Sequence, residues 1–210
     1  MRRSLEPEIL DDPGVPEAVK TRAHRDLTRT HRWLGHTAAI LRALRRHPHP
    51  VRRVMDIGCG HGGLLVEVRK RLSVEVVGVD LFPPPAAPVP IVRADAVRHP
   101  LPECDVAVAV CLVHHLSPEE LAQLIQNVGR SARRFIVLDL VRHPLPLVLF
   151  RTFVAPFICR VNVLDGMQSI RRSFTGSELR EIAHRAVEGR AIVRHRVAPF
   201  FTHQIVDISW

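Results

Sequence analysis

One stretch, Val54-Met55-Asp56-Ile57-Gly58-Cys59-Gly60-His61-Gly62-Gly63, constrains this chain more than any other. Val51, Val54, Met55 and Ile57 form the apolar run of a buried strand, and Leu64, Leu65, Val68 and Leu72 then recur at helical spacing. Between the two lie glycines, whose missing Cβ opens backbone angles closed to other residues. A strand, a tight turn and a helix start in this order predict an α/β unit in which a ligand touches backbone at the turn. Gly58, Gly60 and Gly63 alone spell G-x-G-x-x-G, the turn of dinucleotide-binding dehydrogenases. Asp56 argues against that ligand. It sets a carboxylate two residues before the first glycine, where it would repel a pyrophosphate and hold an ammonium group.

The resulting D-x-G-x-G-x-G resembles the first motif of the class I S-adenosylmethionine-dependent methyltransferases, and the similarity continues in order down the chain. The resemblance implies that Gly58, Cys59, Gly60 and Gly62 pass beneath the methionine part of S-adenosylmethionine and that Asp56 contacts its amino group. A second strand over residues 73–80 ends in Asp80. This acid falls about 20 residues past the turn, the position from which a carboxylate reaches ribose hydroxyls. Leu81 follows it at the cofactor. A short third strand over residues 91–96 ends in Asp95 and Ala96, which match the family's adenine side. A fourth strand covers residues 104–112, and the resemblance implies that Cys111 and Leu112 at its end lie along the methionine part.

The rest of the chain fits the same plan. Residues 1–15, with Pro7, Pro13, Gly14 and several acids, read as an irregular arm. A helical stripe at Ala23, Leu27, Thr30, Leu34, Thr37, Leu41 and Leu44 follows, with Gly35 placed to divide it. His47-Pro48-His49-Pro50 ends it, because proline cannot continue a helix. Residues 1–50 are thus an N-terminal arm and helical cap, and residues 51–210 a Rossmann-like domain. Residues 82–90 hold five prolines and cannot form the usual second crossover helix. Ser117-Pro118-Glu119-Glu120 and Thr175-Gly176-Ser177-Glu178 are capping boxes that start helices. A fifth strand over residues 134–140 and two closing strands over residues 191–197 and 202–208 bring the total to seven. The expectation is a mostly parallel, seven-stranded α/β sheet of the class I methyltransferase kind, closed by an antiparallel hairpin, with a lid-like insertion at about residues 141–173.

Composition bounds the function. With 210 residues, 46% of them hydrophobic, the chain can bury one core. Four cysteines without C-x-x-C spacing read as reduced thiols of a cytoplasmic protein. Arg2 and Arg3 are followed by acids rather than an apolar run, which excludes a signal peptide in this segment, and no stretch is long enough to span a bilayer. The net charge of +9 would attract anionic partners, RNA among them. Against a nucleic-acid substrate stand the aromatic content of 5% and the sequence C-L-V-H-H-L after the fourth strand, which lacks the proline-aromatic grip on a flipped base. A small-molecule acceptor is expected, methylated at oxygen or carbon and closest in kind to phenols, quinones or polyketides. An RNA methyltransferase is the alternative.

Methyl transfer from a sulfonium needs alignment above all. A phenolic acceptor would also lose a proton, and His114 and His115, just past the fourth strand, are the candidate bases. The alternative for this pair is a structural turn. No metal is expected, since neighbouring histidines cannot readily share one ion and Cys59 and His61 lack further ligands in sequence. Residues 144–159 are too apolar for an exposed loop and too short to cross a membrane. They are expected to bury their side chains, either as a crossover helix on the sheet or by lining an acceptor pocket with Phe150, Phe153 and Phe157, closed by Trp33 and His36. In the second case the acceptor is lipophilic, and the arginines at 142, 151, 160, 171 and 172 would bring the pocket mouth to an anionic membrane surface.

Overall fold

The computed structural model describes residues 1–12 and 14–210, so Pro13 of the expected arm lies outside the described residues. Seven strands form one sheet: β1 (Arg53–Ile57), β2 (Glu75–Asp80), β3 (Ile91–Arg93), β4 (Cys104–Val110), β5 (Ala132–Asp139), β6 (Ile192–Val197) and β7 (Gln204–Ser209). Their order is β3-β2-β1-β4-β5-β7-β6. The pairs among β1 to β5 are parallel, while β7 runs antiparallel to both β5 and β6, so six strands point one way and β7 opposes them. This is the expected Rossmann-like class I methyltransferase architecture.

The strand sequences follow from burial on both faces. In β4, Val106, Ala107, Val108 and Ala109 are all fully buried, and successive residues face opposite cores. One face sets Met55, Ile57, Ala107, Ala109 and Phe135 against helices α4 (Pro118–Val128) and α7 (Gly176–Val187). The other sets Val54, Val106, Val108, Ile136 and Leu138 against α2 (His36–Arg45) and α3 (Gly63–Leu72). Both expected capping boxes form. Ser117 Oγ accepts from the Glu120 amide at 3.1 Å while Glu120 accepts from the Ser117 amide at 2.9 Å, and Thr175 and Glu178 do the same at the start of α7.

The expected break at Gly35 separates α1 (Glu17–Trp33) from α2. Gly35 sits at φ 75°, in the left-handed region that glycine enters without penalty, and turns the chain sharply enough to stack the last turn of α1 on the first of α2. Between β2 and β3 there is no helix, as the prolines require.

The segment expected to act as a lid contains a short helix α5 (Pro144–Leu149), a π-helical turn over Phe150–Val154, a 3-10 turn over Ala155–Phe157 and helix α6 (Arg160–Arg172). The expectation that residues 144–159 bury their side chains fails for several of them. Val148, Phe153 and Phe157 are 60%, 67% and 62% exposed. A six-residue helix followed by a π turn can present only a narrow stripe inward, and here Pro146 and Phe150 occupy it, with Phe150 seated against the bare backbone of Gly166 on α6.

The arm is laid across this side of the molecule rather than left loose. The Ser4 amide bonds to the Arg171 carbonyl at 3.1 Å, and the Ile9 and Leu10 amides donate to the two carboxylate oxygens of Asp165 at 2.7 and 3.0 Å. Arg3 donates to the carbonyls of Arg172 and Leu116 and stacks over Phe174 at 3.9 Å.

Candidate active site

The C-terminal ends of β1 and β4 open onto a cavity of about 530 Å³, closed on the other side by α1, α2, α6 and the arm. This is where open α/β sheets bind ligands. Its lining takes in Asp56, Gly58, Cys59, Gly60 and Cys111 of the residues expected at the cofactor, both His114 and His115, and His36 and Phe150 of the residues expected at the acceptor.

The glycine turn is built for close approach. The Gly58 amide donates to the Val79 carbonyl at 2.8 Å, and Gly58 has φ 69°. A Cβ there would stand 2.6 Å from a methyl of Leu112, so any side chain would displace the residue that supports the turn from behind. Asp80 holds the turn from the β2 side. One carboxylate oxygen accepts from the Gly60 amide at 2.8 Å and the other from the Phe82 amide at 2.9 Å.

The remaining expected residues stand outside the cavity lining. Gly62, at φ 74°, caps α3. Leu81 is half exposed. Asp95 accepts from the Val97 amide at 2.9 Å, and the Ala96 carbonyl accepts from Asn127 at 2.8 Å, which fixes this loop beside β3. Trp33 is 58% exposed and meets Phe157 edge-on at 6.3 Å on the outer surface, and Phe153 is also outward.

Asp56 is 3% exposed, and among the described residues no cation pairs with it. Burial, with the Asp80 carboxylate adding to it, raises its pKa to about 8. A cationic ligand group placed here would gain a carboxylate now held in its protonated form. Cys59 packs its thiol against Gly78, where a Cβ would have no space, and burial pushes that thiol well up. The pocket's open backbone at Gly58 and Gly60, joined to a buried acid, fits the methionine end of S-adenosylmethionine.

Opposite the turn lies a polar cluster. His114, 3% exposed, donates from Nδ1 to Asp139 Oδ1 at 2.7 Å, and its amide donates to Asp139 Oδ2 at 3.0 Å. Its Nε2 stands 3.5 Å from Glu8 Oε1, which in turn is 3.9 Å from His115 Nε2. Burial works against a charged imidazole, yet Asp139 and then Glu8 outweigh it and raise the His114 pKa to about 9. Glu8 is held below the usual carboxylate range, since the His114 contacts overcome its burial. His114 is therefore an imidazolium between two carboxylates at neutral pH.

Two lining residues, Glu8 and His31, were not among the sequence candidates. Glu8 sits in an arm whose acids look solvated, and nothing local marks it. His31 falls between the apolar positions of the helical stripe, and only the corner at Gly35 brings it to His36.

Residues 54–134 match the protein family described as "Methyltransferase domain". No curated protein matches the sequence. Among solved structures the fold is similar to the plantazolicin methyltransferase BpumL in complex with SAH, at TM-score 0.70 and 14% identity over 95% of this chain and 91% of that one. It is similar also to the methyltransferase domain of bacterial CtHen1, at TM-score 0.60 and 17% identity over 86% and 99% of the two chains. A third is magnesium protoporphyrin IX methyltransferase (ChlM) from Synechocystis PCC 6803 with bound SAH, at TM-score 0.54 and 17% identity over 94% and 89%.

Proposed function

We propose that this chain is a class I S-adenosylmethionine-dependent methyltransferase that methylates an oxygen or carbon of a small, lipophilic acceptor of the phenol, quinone or polyketide type. The observation that carries the reading is the single cavity of about 530 Å³ running from the glycine turn and Asp56 to the imidazoles and the apolar wall of Leu27, Leu34, Phe150 and Ile170. A pocket of that size, walled by helices on the side facing the sheet, suits a small acceptor beside the cofactor.

When bound, S-adenosylmethionine supplies an electrophilic methyl group on a sulfonium. The chain's part is to bind and orient. Asp56 takes the ammonium end, Gly58 and Gly60 let backbone approach the methionine part, and Asp80 fixes the turn with its remaining lone pairs free for the ribose. Asp95 and Ala96 mark the adenine end, and Cys111 with Leu112 the wall between cofactor and acceptor. At the acceptor, His115 is the residue able to take a phenolic proton. His114, already protonated, has the positioning role of holding Glu8 beside it.

These two roles separate by mutation. Changing His115 to glutamine is expected to lower turnover of a phenolic acceptor by roughly 100-fold, the lower range for general-base catalysis, with cofactor affinity unchanged. His114→Gln should reduce turnover less and lose its effect above about pH 9, where the wild-type ring is neutral. Equal turnover of both variants and the wild type from pH 6 to 9 would leave positioning alone to carry the reaction.

The lipophilic character rests on the surface beside the cavity. Trp33, Phe153 and Phe157 are exposed together, and Arg29 stacks over Trp33 at 5.0 Å while donating to the Phe157 carbonyl. Arg151 and Arg160 lie in the same segment. Aromatic side chains ringed by arginine suit the headgroup layer of an anionic membrane. Sedimentation with anionic but not neutral vesicles, reversed by salt, is expected. Absence of binding to either, with equal activity on polar acceptors, would count against it, and methylation of RNA in preference to phenols would favour the basic surface as the substrate platform. Among the described residues, no helix is long and apolar enough to cross a membrane.

A further inference from the structure

Three side chains converge in the cavity wall: His31, which has been given no role so far, with His36 and Cys111, which so far only line the space beside the cofactor and acceptor. The corner at Gly35 brings His31, from the last turn of α1, over His36, the first residue of α2, with ring centroids 5.2 Å apart. Cys111 reaches them from the end of β4. It does so at φ 52°, a left-handed conformation rarely adopted by residues other than glycine and characteristic of functional sites when it occurs. Its Sγ lies 3.7 Å from His36 Nδ1, and one ligand atom from each of the three residues falls within 4.8 Å of the others.

His36 is 1% exposed, and among the described residues the neighbour of its Nδ1 is the Cys111 thiol. A buried ring nitrogen that faces a thiol is free to bond an ion together with that sulfur. The chemistry of the set agrees, since imidazole nitrogen and thiolate sulfur are the donors that zinc takes. Ligands of a tetrahedral zinc ion, bound at about 2.0–2.3 Å, stand roughly 3.3–3.8 Å from one another, a spacing the sulfur and the His36 nitrogen already have. The second cluster in the cavity, Glu8 with His114 and His115, lacks such a free group, because both nitrogens of His114 face carboxylates.

We propose that His31, His36 and Cys111 bind a divalent cation of zinc type, with one coordination position open to the cavity. Three protein ligands with a vacant fourth position follow the pattern of catalytic rather than structural zinc. On binding, the Cys111 thiol gives up its proton to solvent and the thiolate bonds to the metal. An ion held here would, at its open position, take the acceptor's heteroatom and favour its deprotonated form. That consequence rests on the function proposed above, whereas cation binding itself does not.

Cobalt(II) is the probe. Tag-free protein, stripped with chelator and dialysed, is expected to take up one equivalent with a thiolate-to-cobalt charge-transfer band in the near ultraviolet and the visible absorption of a tetrahedral site, both abolished by zinc. Cys111→Ser removes the charge-transfer band, and His31→Gln or His36→Gln weakens binding by more than the roughly 10- to 100-fold that even outer-shell changes cost. Glu8→Gln keeps the spectrum. Circular dichroism and urea unfolding report that each variant is folded, and calorimetry with S-adenosylhomocysteine tests the cofactor site separately. The proposal is overturned if wild-type protein gives no charge-transfer band, if the band survives in Cys111→Ser, or if Glu8→Gln loses cobalt while a folded His36→Gln retains it.

Discussion

Replacing Asp139 by alanine is expected to destabilise the fold by about 3–5 kcal/mol, the cost of removing one partner from a buried ion pair. Asp139 is 1% exposed at the end of β5 and accepts three hydrogen bonds, from the His114 ring, the His114 amide and the Leu140 amide. Without it the His114 imidazolium keeps only Glu8, 3.5 Å away. The pH dependence identifies the cause. His114 has its folded pKa raised to about 9 from an ordinary value of about 6.5, so its contribution is full below about 6.5 and is lost as pH rises through 9. Asp139 and Glu8 are depressed by the same contacts, despite their burial, so their contribution is full above the ordinary carboxylate range and is lost as pH falls below that range through their lowered values. The stability gap between wild type and variant, from urea unfolding, should therefore be widest between about pH 5 and 6.5 and narrow toward pH 10. A gap constant from pH 6 to 10 would mean that His114 is neutral throughout.

Cofactor affinity is expected to climb about tenfold per pH unit from pH 6 toward 8, and the climb should vanish in Asp56→Asn. The Asp56 pKa of about 8, set by burial and then by Asp80, means that a ligand ammonium arriving at pH 6 must first displace a proton from the carboxyl. Near pH 8 the displacement no longer costs anything, and wild type should exceed the asparagine variant by about 10- to 150-fold, the equivalent of a charged hydrogen bond of about 1.5–3 kcal/mol. Calorimetry with S-adenosylhomocysteine in two buffers of different ionisation enthalpy reads both the affinity and the released proton. Affinity independent of pH in the wild type would place the ammonium elsewhere.

The fold was legible because each element carries its own local instruction. The strands are apolar on both faces, two capping boxes set helix starts, Gly35 breaks a stripe, and five prolines forbid a crossover helix. The same holds for the glycine turn with Asp56, which is contiguous in sequence. The acceptor side is different, since its groups converge from α1, α2, β4, β5 and the arm. The pairing of His114 with Asp139 spans 25 residues and that of Cys111 with His36 spans 75, and no periodicity records either. Hydrophobicity also misleads at residues 144–159, where apolar composition says that a surface is to be covered but not by what. Phe150 is covered from within the chain, and Phe153 and Phe157 are not.

Glu8 completes the cavity wall from a segment of which no described residue between 1 and 12 is buried. The arm is attached by polar contacts, chiefly Arg3 to the Arg172 and Leu116 carbonyls and the Ile9 and Leu10 amides to Asp165. Peeling it away exposes little apolar surface, so its detachment belongs to the low-cost end of local unfolding. Ligand residence time is then expected to follow how often a dozen residues let go, rather than the opening of the sheet. In hydrogen exchange, the Ile9 and Leu10 amides should exchange far ahead of the β4 and β5 amides and slow when S-adenosylhomocysteine is bound; equal rates with and without it would uncouple the arm from the site.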